Sequence, residues 1–245
     1  MDMGDIVAGA WGIFRRAPPR WFALALVAAI VIFALQWVTG DRLDLSAEPG
    51  EAEVRDAAPW VGMLLGGSTI ANLFAHVALV AATVMVLSGE TLAVGRGYGV
   101  AFRKFLPVLL ASIVTGLVAG GLSLTIVLIP LAVFFFVNWS MAAQVIVVEG
   151  ESPLRALSRS RKIVKGQWWR TFGINLAILL LAFLPSFVLG RVTAPFGLDW
   201  VAALGSALAS LLAAPFVAIA QTLLYQDLRR RKGEKPFVPA LKEAV

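Results

Sequence analysis

Four stretches of this chain, residues 57–89, 105–148, 171–190 and 200–226, contain no Asp, Glu, Lys or Arg. An apolar run of about 20 residues is long enough to cross a bilayer as a helix. The chain therefore reads as a multi-pass membrane protein. Composition agrees, with 59% hydrophobic and 15% charged types over 245 residues, against about 45–50% and about 25% in soluble domains. Disorder, a fibrous protein and an ordinary soluble enzyme are excluded. Cysteine is absent, which removes disulfides, thiolate zinc sites, iron–sulfur clusters and cysteine nucleophiles.

Six spans are expected, over 21–38, 60–87, 105–119, 124–148, 171–190 and 200–226. The apolar residues of 21–38 follow Arg15-Arg16-Ala17-Pro18-Pro19-Arg20. A signal peptide is the alternative there, but the run is too long and no small-x-small cleavage site follows it. Gly120-Gly121-Leu122-Ser123 divides spans three and four, because paired glycines suit a tight turn. Pro130, Pro185 and Pro215 fall inside spans and are expected to kink or break them. Glycine and alanine pairs at packing spacing, Gly62/Gly66, Gly116/Gly120, Gly205/Ala209 and Ala209/Ala213, would let backbones approach closely.

Lys and Arg concentrate in cytoplasmic loops, and that bias orients a membrane protein. Counted over alternate segments, 18 lie on one side and only Arg42, Arg55 and Arg191 on the other. Both termini are therefore expected in the cytoplasm. The acidic connection from Thr39 to Ala58 would be a flexible polar loop outside. The excess of cations, 21 against 15 acidic residues, is accounted for by membrane topology, and no nucleic-acid partner is expected.

Each basic segment before an odd-numbered span repeats one design: an amphipathic helix, a basic turn, then the span. Ile6, Val7, Ala10, Trp11 and Phe14 form the first apolar face, and Leu92, Tyr98, Phe102 and Phe105 the second. Gly95, Gly97 and Gly99 weaken that second helix. In the third, Leu154, Leu157 and Val164 oppose Arg155, Arg159 and Lys162 over Pro153 to Lys165, and Trp168-Trp169 anchors its turn at headgroup depth. Ser152-Pro153 starts this helix and Lys165-Gly166 ends it. Such helices lie in the membrane interface. The expected fold class is an all-α membrane protein of six transmembrane helices with three cytoplasmic interfacial amphipathic helices. These form three repeats of interfacial helix plus hairpin, a pattern that any even-spanning protein can imitate. A single integral membrane domain over 1–228 would carry a basic tail over 229–245.

Polar side chains inside spans are functional candidates by default. Here they are Asn72, His76, Asn138 and Asn175, with Gln144 and Gln221 beside them. The alternative is interhelical hydrogen bonding. With no partner carboxylate in any span, His76 supports neither a metal site nor a proton relay. Glu149 and Asp227 emerge at the basic ends of spans four and six, at the depth of Arg229 and Lys165. They are expected either to pin the third interfacial helix by ion pairs or to be solvated.

Two stretches carry a resemblance. One is Val147 to Arg170, opened by Glu149-Gly150-Glu151-Ser152-Pro153-Leu154-Arg155 and closed by Lys165-Gly166-Gln167-Trp168-Trp169-Arg170. The other is Pro215 with Gln221-Thr222-Leu223-Leu224-Tyr225-Gln226-Asp227-Leu228-Arg229. Over 147–229 the chain resembles the membrane-domain family named after glycerophosphoryl diester phosphodiesterases. The resemblance implies a bacterial cytoplasmic-membrane protein, and it implies no phosphodiesterase activity, because the soluble catalytic domain of the family name is missing from this sequence.

Two function classes follow. The first is a non-enzymatic membrane protein, without cofactor or metal, that binds anionic lipid or a protein partner through a basic cytoplasmic collar. Its candidates are Arg15, Arg16, Arg20, Arg103, Lys104, Arg155, Arg159, Lys162, Lys165, Arg170 and Arg229. A cation near an anionic leaflet contributes about 1 kcal/mol. The second is a transporter or permease component, for which broken helices and a polar cavity at the midplane would be the signature. A sealed bundle core would favour the first class. An integral membrane phosphodiesterase would need a His or acidic metal cluster that the sequence does not provide.

Overall fold

The computed structural model describes residues 2–40 and 51–234. Among the described residues all regular structure is helical. In chain order the helices are α1 (Met3–Phe14), α2 (Pro18–Gly40), α3 (Glu51–Leu87), α4 (Val94–Ser123), α5 (Ile129–Trp139), α6 (Ala142–Glu149), α7 (Pro153–Val164), α8 (Trp168–Thr193) and α9 (Asp199–Arg231). Single 3₁₀ turns, Ile126–Leu128 and Ala194–Phe196, lead into α5 and follow α8. Six segments are long and apolar enough to cross a membrane: Pro18–Thr39, Val54–Leu87, Val94–Ser123, Ile126–Glu149, Trp168–Phe196 and Asp199–Arg231. Five of the six expected spans lie wholly within them, and the fourth, expected from 124, begins two residues later at Ile126.

The helices do not pack equally at both ends. Every residue of α3 from Val77 to Met85 is buried, whereas none from Val54 to Ile70 is. In α4 burial stops at Ala111, and in α8 at Ile178. The largest fully buried side chains, among them Trp21, Met85, Ile146, Ile163 and Tyr225, lie toward the end that carries the basic segments. A helix apolar on all sides belongs in such an interior, and this half of α3 is one. α9 packs against α1, α2, α3, α7 and α8, while α4 leans on α3, α5 and α6 and barely meets α8 or α9. The bundle is closed at its basic end and opens between α4 and the α8–α9 pair at the other.

Several local expectations change. α4 continues through Gly120 and Gly121 to Ser123, so the turn between spans three and four comes at Leu124–Thr125. The second expected interfacial helix is the first part of α4 and not a separate element. Tertiary contacts hold it against α2 and α3: Tyr98 Oη donates to the Ala23 carbonyl at 2.7 Å, and Gly97 sits against Leu24 and the Ala78 carbonyl. The expected loop from Thr39 to Ala58 has helical ends, in α2 and α3, and its residues 41–50 lie outside the described residues. α9 runs past the expected domain boundary at 228, and the rest of the tail from 235 lies outside the described residues.

The small-residue pairs also divide. A Cβ at Gly62, Gly66, Gly116 or Gly120 would meet nothing within 4 Å, whereas one at Gly205 would stand 2.9 Å from Thr193. Close approach therefore occurs between α8 and α9 but not at the other glycine pairs. Pro130 lies in the first turn of α5, where its missing N–H is harmless. Pro185 and Pro215 stand inside continuous helices.

A Cβ added at Gly97 would fall 2.9 Å from Leu24 and 3.3 Å from the Ala78 carbonyl, while one at Gly99 would meet open space. We expect Gly97→Ala to cost about 1–3 kcal/mol through overpacking, and Gly99→Ala to gain up to about 1 kcal/mol of helix propensity. Thermal unfolding of the two variants in one detergent checks this; equal shifts would refute the close approach.

Candidate functional site

The fourth span is not one helix. α5 ends at Trp139 and α6 begins at Ala142, with Ser140 and Met141 in a turn between them. No glycine or proline stands at this break. Backbone groups freed inside a membrane need other partners, and α7 supplies one. The buried Ser160 hydroxyl donates to the Asn138 carbonyl at 2.7 Å and accepts from the Met141 N–H at 3.2 Å. The Asn138 amide donates to the Phe134 carbonyl at 2.8 Å, so this residue belongs to the break. α7 buries Ala156, Leu157, Ser160, Ile163 and Val164 and leaves Leu154 69% exposed. The expected apolar face is thus rotated, because the helix seats small side chains and one hydroxyl against α5 and α6. Ser152 occupies the N-cap with no side-chain cap bond, and Gly166 takes the left-handed conformation, φ 83°, that ends the helix.

Beside the break lies a polar crevice. One cavity of about 710 Å³ is bounded by α3, α4 and α9, and a second of about 600 Å³ extends it between α4, α5, α6 and α8. They meet at Leu73, His76, Ser112 and Val217. Asn72 lines the first, where its Oδ1 accepts the Ser210 hydroxyl at 3.1 Å. Asn175 and Ser140 line the second, joined at 3.3 Å, and Gln221 closes it toward the basic end, accepting from the Gln144 amide at 3.4 Å. Of the polar candidates read from the sequence, Asn72, His76 and Asn175 come together on one crevice and Asn138 does not. Ser112 and Ser210 were missed, since serine in an apolar span most often bonds its own helix.

The basic end carries a charged clasp. Glu149, the last residue of α6, accepts both Nε and Nη2 of Arg159 from α7, at 2.8 and 3.2 Å, and the Tyr225 hydroxyl from α9 at 2.6 Å. Arg229 Nε stands 3.8 Å from the same carboxylate. Glu234 receives Arg159 at 2.6 Å and Arg229 at 2.7 Å. Asp227 pairs with Arg170 at 2.8 Å and Arg231 at 2.9 Å, and Lys232 donates to the Lys165 carbonyl at 2.6 Å. Bonding to Glu149 chiefly, despite partial burial, holds the Arg159 guanidinium protonated above its usual range. Burial alone would raise the Glu234 carboxyl, but Arg159 and Arg229 outweigh it and hold the group below its usual 4.5. A carboxylate so depressed adds its stability above the ordinary value and loses it as pH falls through the depressed one. The Glu234 part of the clasp is thus complete at neutral pH and released only in acid below 4.5.

The other collar candidates have separate surroundings. Arg20 donates to the Leu92 carbonyl at 3.1 Å. Lys104 reaches toward Gly150. Arg15, Arg16, Arg103, Arg155, Lys162 and Lys165 are exposed on the same end. Trp168 stacks on Phe134 and Phe172, which leaves Trp169, 77% exposed, as the outward-facing member of the expected anchor pair. The partners that sequence reading missed are Tyr225, Glu234 and Ser160, residues identifiable only once α7 and α9 are placed side by side.

Removing the Ser160 hydroxyl would leave a buried N–H and C=O without their partner, at about 1–3 kcal/mol. We therefore expect Ser160→Ala to lower thermal stability by that amount, while Ser158→Ala, exposed on the same helix, changes it by less than about 0.5 kcal/mol. Equal effects of the two, read by thermal unfolding, would remove Ser160 from the break.

No family model matches the chain, and no curated protein and no solved structure is similar to it, so what the molecule does is argued from this geometry.

Proposed function

We propose that this chain is a membrane protein that accepts an amphiphilic ligand from the bilayer into the crevice, as a transporter or permease component does. The carrying observation is that a broken span and a polar cavity coincide: Ser140, at the break between α5 and α6, lines the crevice with His76 and Asn175. Non-helical backbone at membrane depth is tolerated where it lines a cavity or is buried in protein. Discontinuous spans beside a midplane site recur in transporters. Both cavities have volumes in the range of small-molecule sites, about 300–1,000 Å³. The gap between α4 and the α8–α9 pair gives such a ligand a lateral way in from lipid.

The basic collar has a second role in this proposal. It faces the cytoplasm, in a bacterial cytoplasmic membrane as the resemblance over 147–229 implies, and anionic headgroups gather at its exposed cations. α7 then lies along the interface with Arg155 and Lys162 outward, while Arg159 serves the clasp. A repeated interfacial-helix design and a protein partner for the collar belong to the same proposal, and the reading includes no catalytic step.

The absence of cysteine allows direct tests. In proteoliposomes Ser112→Cys is expected to react with a lipid-soluble maleimide, Ala101→Cys, fully buried in α4 and lining neither cavity, to stay unreacted, and an added short-chain amphiphile to slow the Ser112→Cys reaction at least threefold. No reaction, or no protection, would overturn the ligand reading.

For the collar, Ser158→Cys should be labelled by an impermeant thiol reagent only after cells are permeabilised. In the same background Arg155→Glu with Lys162→Glu should reduce co-purifying anionic lipid several-fold, and added salt should diminish the parent's enrichment. Labelling in intact cells would invert the orientation, and unchanged lipid would reduce the collar to a topology signal.

A further inference from the structure

The crevice wall has a definite chemistry. None of the described residues lining either cavity is Asp, Glu, Lys or Arg. Its polar groups are hydroxyls, carboxamides, one imidazole and the Trp139 indole, set among apolar side chains such as Leu73, Leu109, Ile113 and Val217. The charged residues of the basic end are engaged elsewhere, with Glu149, Arg159, Arg229 and Glu234 bonded to one another. None of them lines the crevice.

Most of the wall hydroxyls are already used. Thr69, Thr115 and Ser123 donate to carbonyls of their own helices four residues back, and Ser210 donates to Asn72. His76 and Ser112 differ. Neither makes a hydrogen bond within the described residues, and both stand on the wall that the two cavities share. A neutral imidazole offers one donor and one acceptor, and a serine hydroxyl offers a donor and two lone pairs. Beyond them, Asn175 uses its amide N–H₂ on Ser140 and keeps its carbonyl, while Gln221 uses its carbonyl and keeps its amide. The unspent groups thus include both donors and acceptors, contributed to the second cavity by α3, α4, α8 and α9.

We propose that the crevice is selective for an uncharged amphiphile whose head carries hydroxyl or amide groups, seated on His76 and Ser112, with its chain leaving toward lipid between α4 and α8. This rests on the reading that the crevice takes a ligand at all. A group that both donates and accepts satisfies the unspent wall groups. A charged head would enter a site of low polarity with no counter-ion, which is costly at this depth. A headless hydrocarbon would leave the wall groups unpaired and gain nothing from them. Selectivity against ions and against pure hydrocarbon therefore comes from the same wall.

The experiment uses the full chain in neutral-lipid nanodiscs and three photoactivatable probes with the same diazirine-bearing chains. One is a diacylglycerol, one a phosphatidate, and one a hydrocarbon without a head. The saturable part of the crosslinking to the lining segments of α3, α4 and α9 is measured by peptide mass spectrometry, with a monoacylglycerol as competitor. The diacylglycerol probe should label saturably and be competed, the phosphatidate at least tenfold more weakly, and the hydrocarbon not saturably. His76→Ala with Ser112→Ala should lower the diacylglycerol signal at least fivefold. His76→Gln with Ser112→Thr, which restore a donor and an acceptor at each position, should keep at least half of it, and they carry the test if the alanine pair fails to fold. Phosphatidate equal to or stronger than diacylglycerol, saturable labelling by the headless probe, or loss of signal in the conservative pair would overturn the selectivity while leaving a ligand site in place. No saturable labelling by any probe would overturn the ligand reading itself.

Discussion

A backbone amide inside a bilayer has no water to turn to, and this molecule is organised around a break in its fourth span that leaves such groups without helical partners. At Ser140 and Met141 the fourth span breaks, and one hydroxyl from a helix outside the spans repairs it. Because the repair comes from α7, that helix must sit against α5 and α6 with Ser160 inward, and so Arg159, its neighbour in sequence, is presented to Glu149 at the end of α6. The clasp, the rotation of α7 and the shape of the crevice beside the break all follow from meeting that requirement.

The same requirement separates a rigid half from an open half. At the basic end α1, α2, α3, α6, α7 and α9 share one core, and the clasp ties α6, α7 and α9 together across it. An Arg bonded through two nitrogens to a carboxylate is geometrically demanding, so these three elements are held in register. Away from that end α4 and α8 bury little, and their apolar faces are turned outward. Lipid, which solvates such faces as readily as another helix does, completes that half. A crevice at the boundary is held by a firm floor and bordered by compliant walls.

Much of this architecture was legible in the sequence, and the rest was hidden for physical reasons. Charge-free runs located all six spans, because the cost of a charge in lipid leaves few other readings. Glu149 and Asp227 stood out as lone carboxylates at the ends of such runs. Their partners did not, since any of the many nearby arginines would have served and Tyr225 carried no signal of its own. Ser160 could not be told from Ser158 by composition; only the packing of α7 distinguishes them. The break at Ser140 lacked the proline or glycine that usually announces one, and prolines that do announce breaks, Pro185 and Pro215, stand in helices that run straight through. The face of α7 was misjudged because hydrophobicity pointed to Leu154, while close packing against two helices selected Ala156 and Ser160.

The position of α9 has a consequence for biosynthesis. It is the last of the described helices to be made, yet it packs against α1, α2, α3, α7 and α8. Between the emergence of Pro18 and that of Asp199 a ribosome working at about 5–20 residues per second spends roughly 10–40 s. For that interval α2, α3 and α4 can pack on one another, but the faces of the earlier helices that later meet α9 have no permanent neighbour. Insertion and assembly are therefore separate stages here, and a chain stalled before α9 presents the membrane's proteases with inserted helices that have no finished bundle to join.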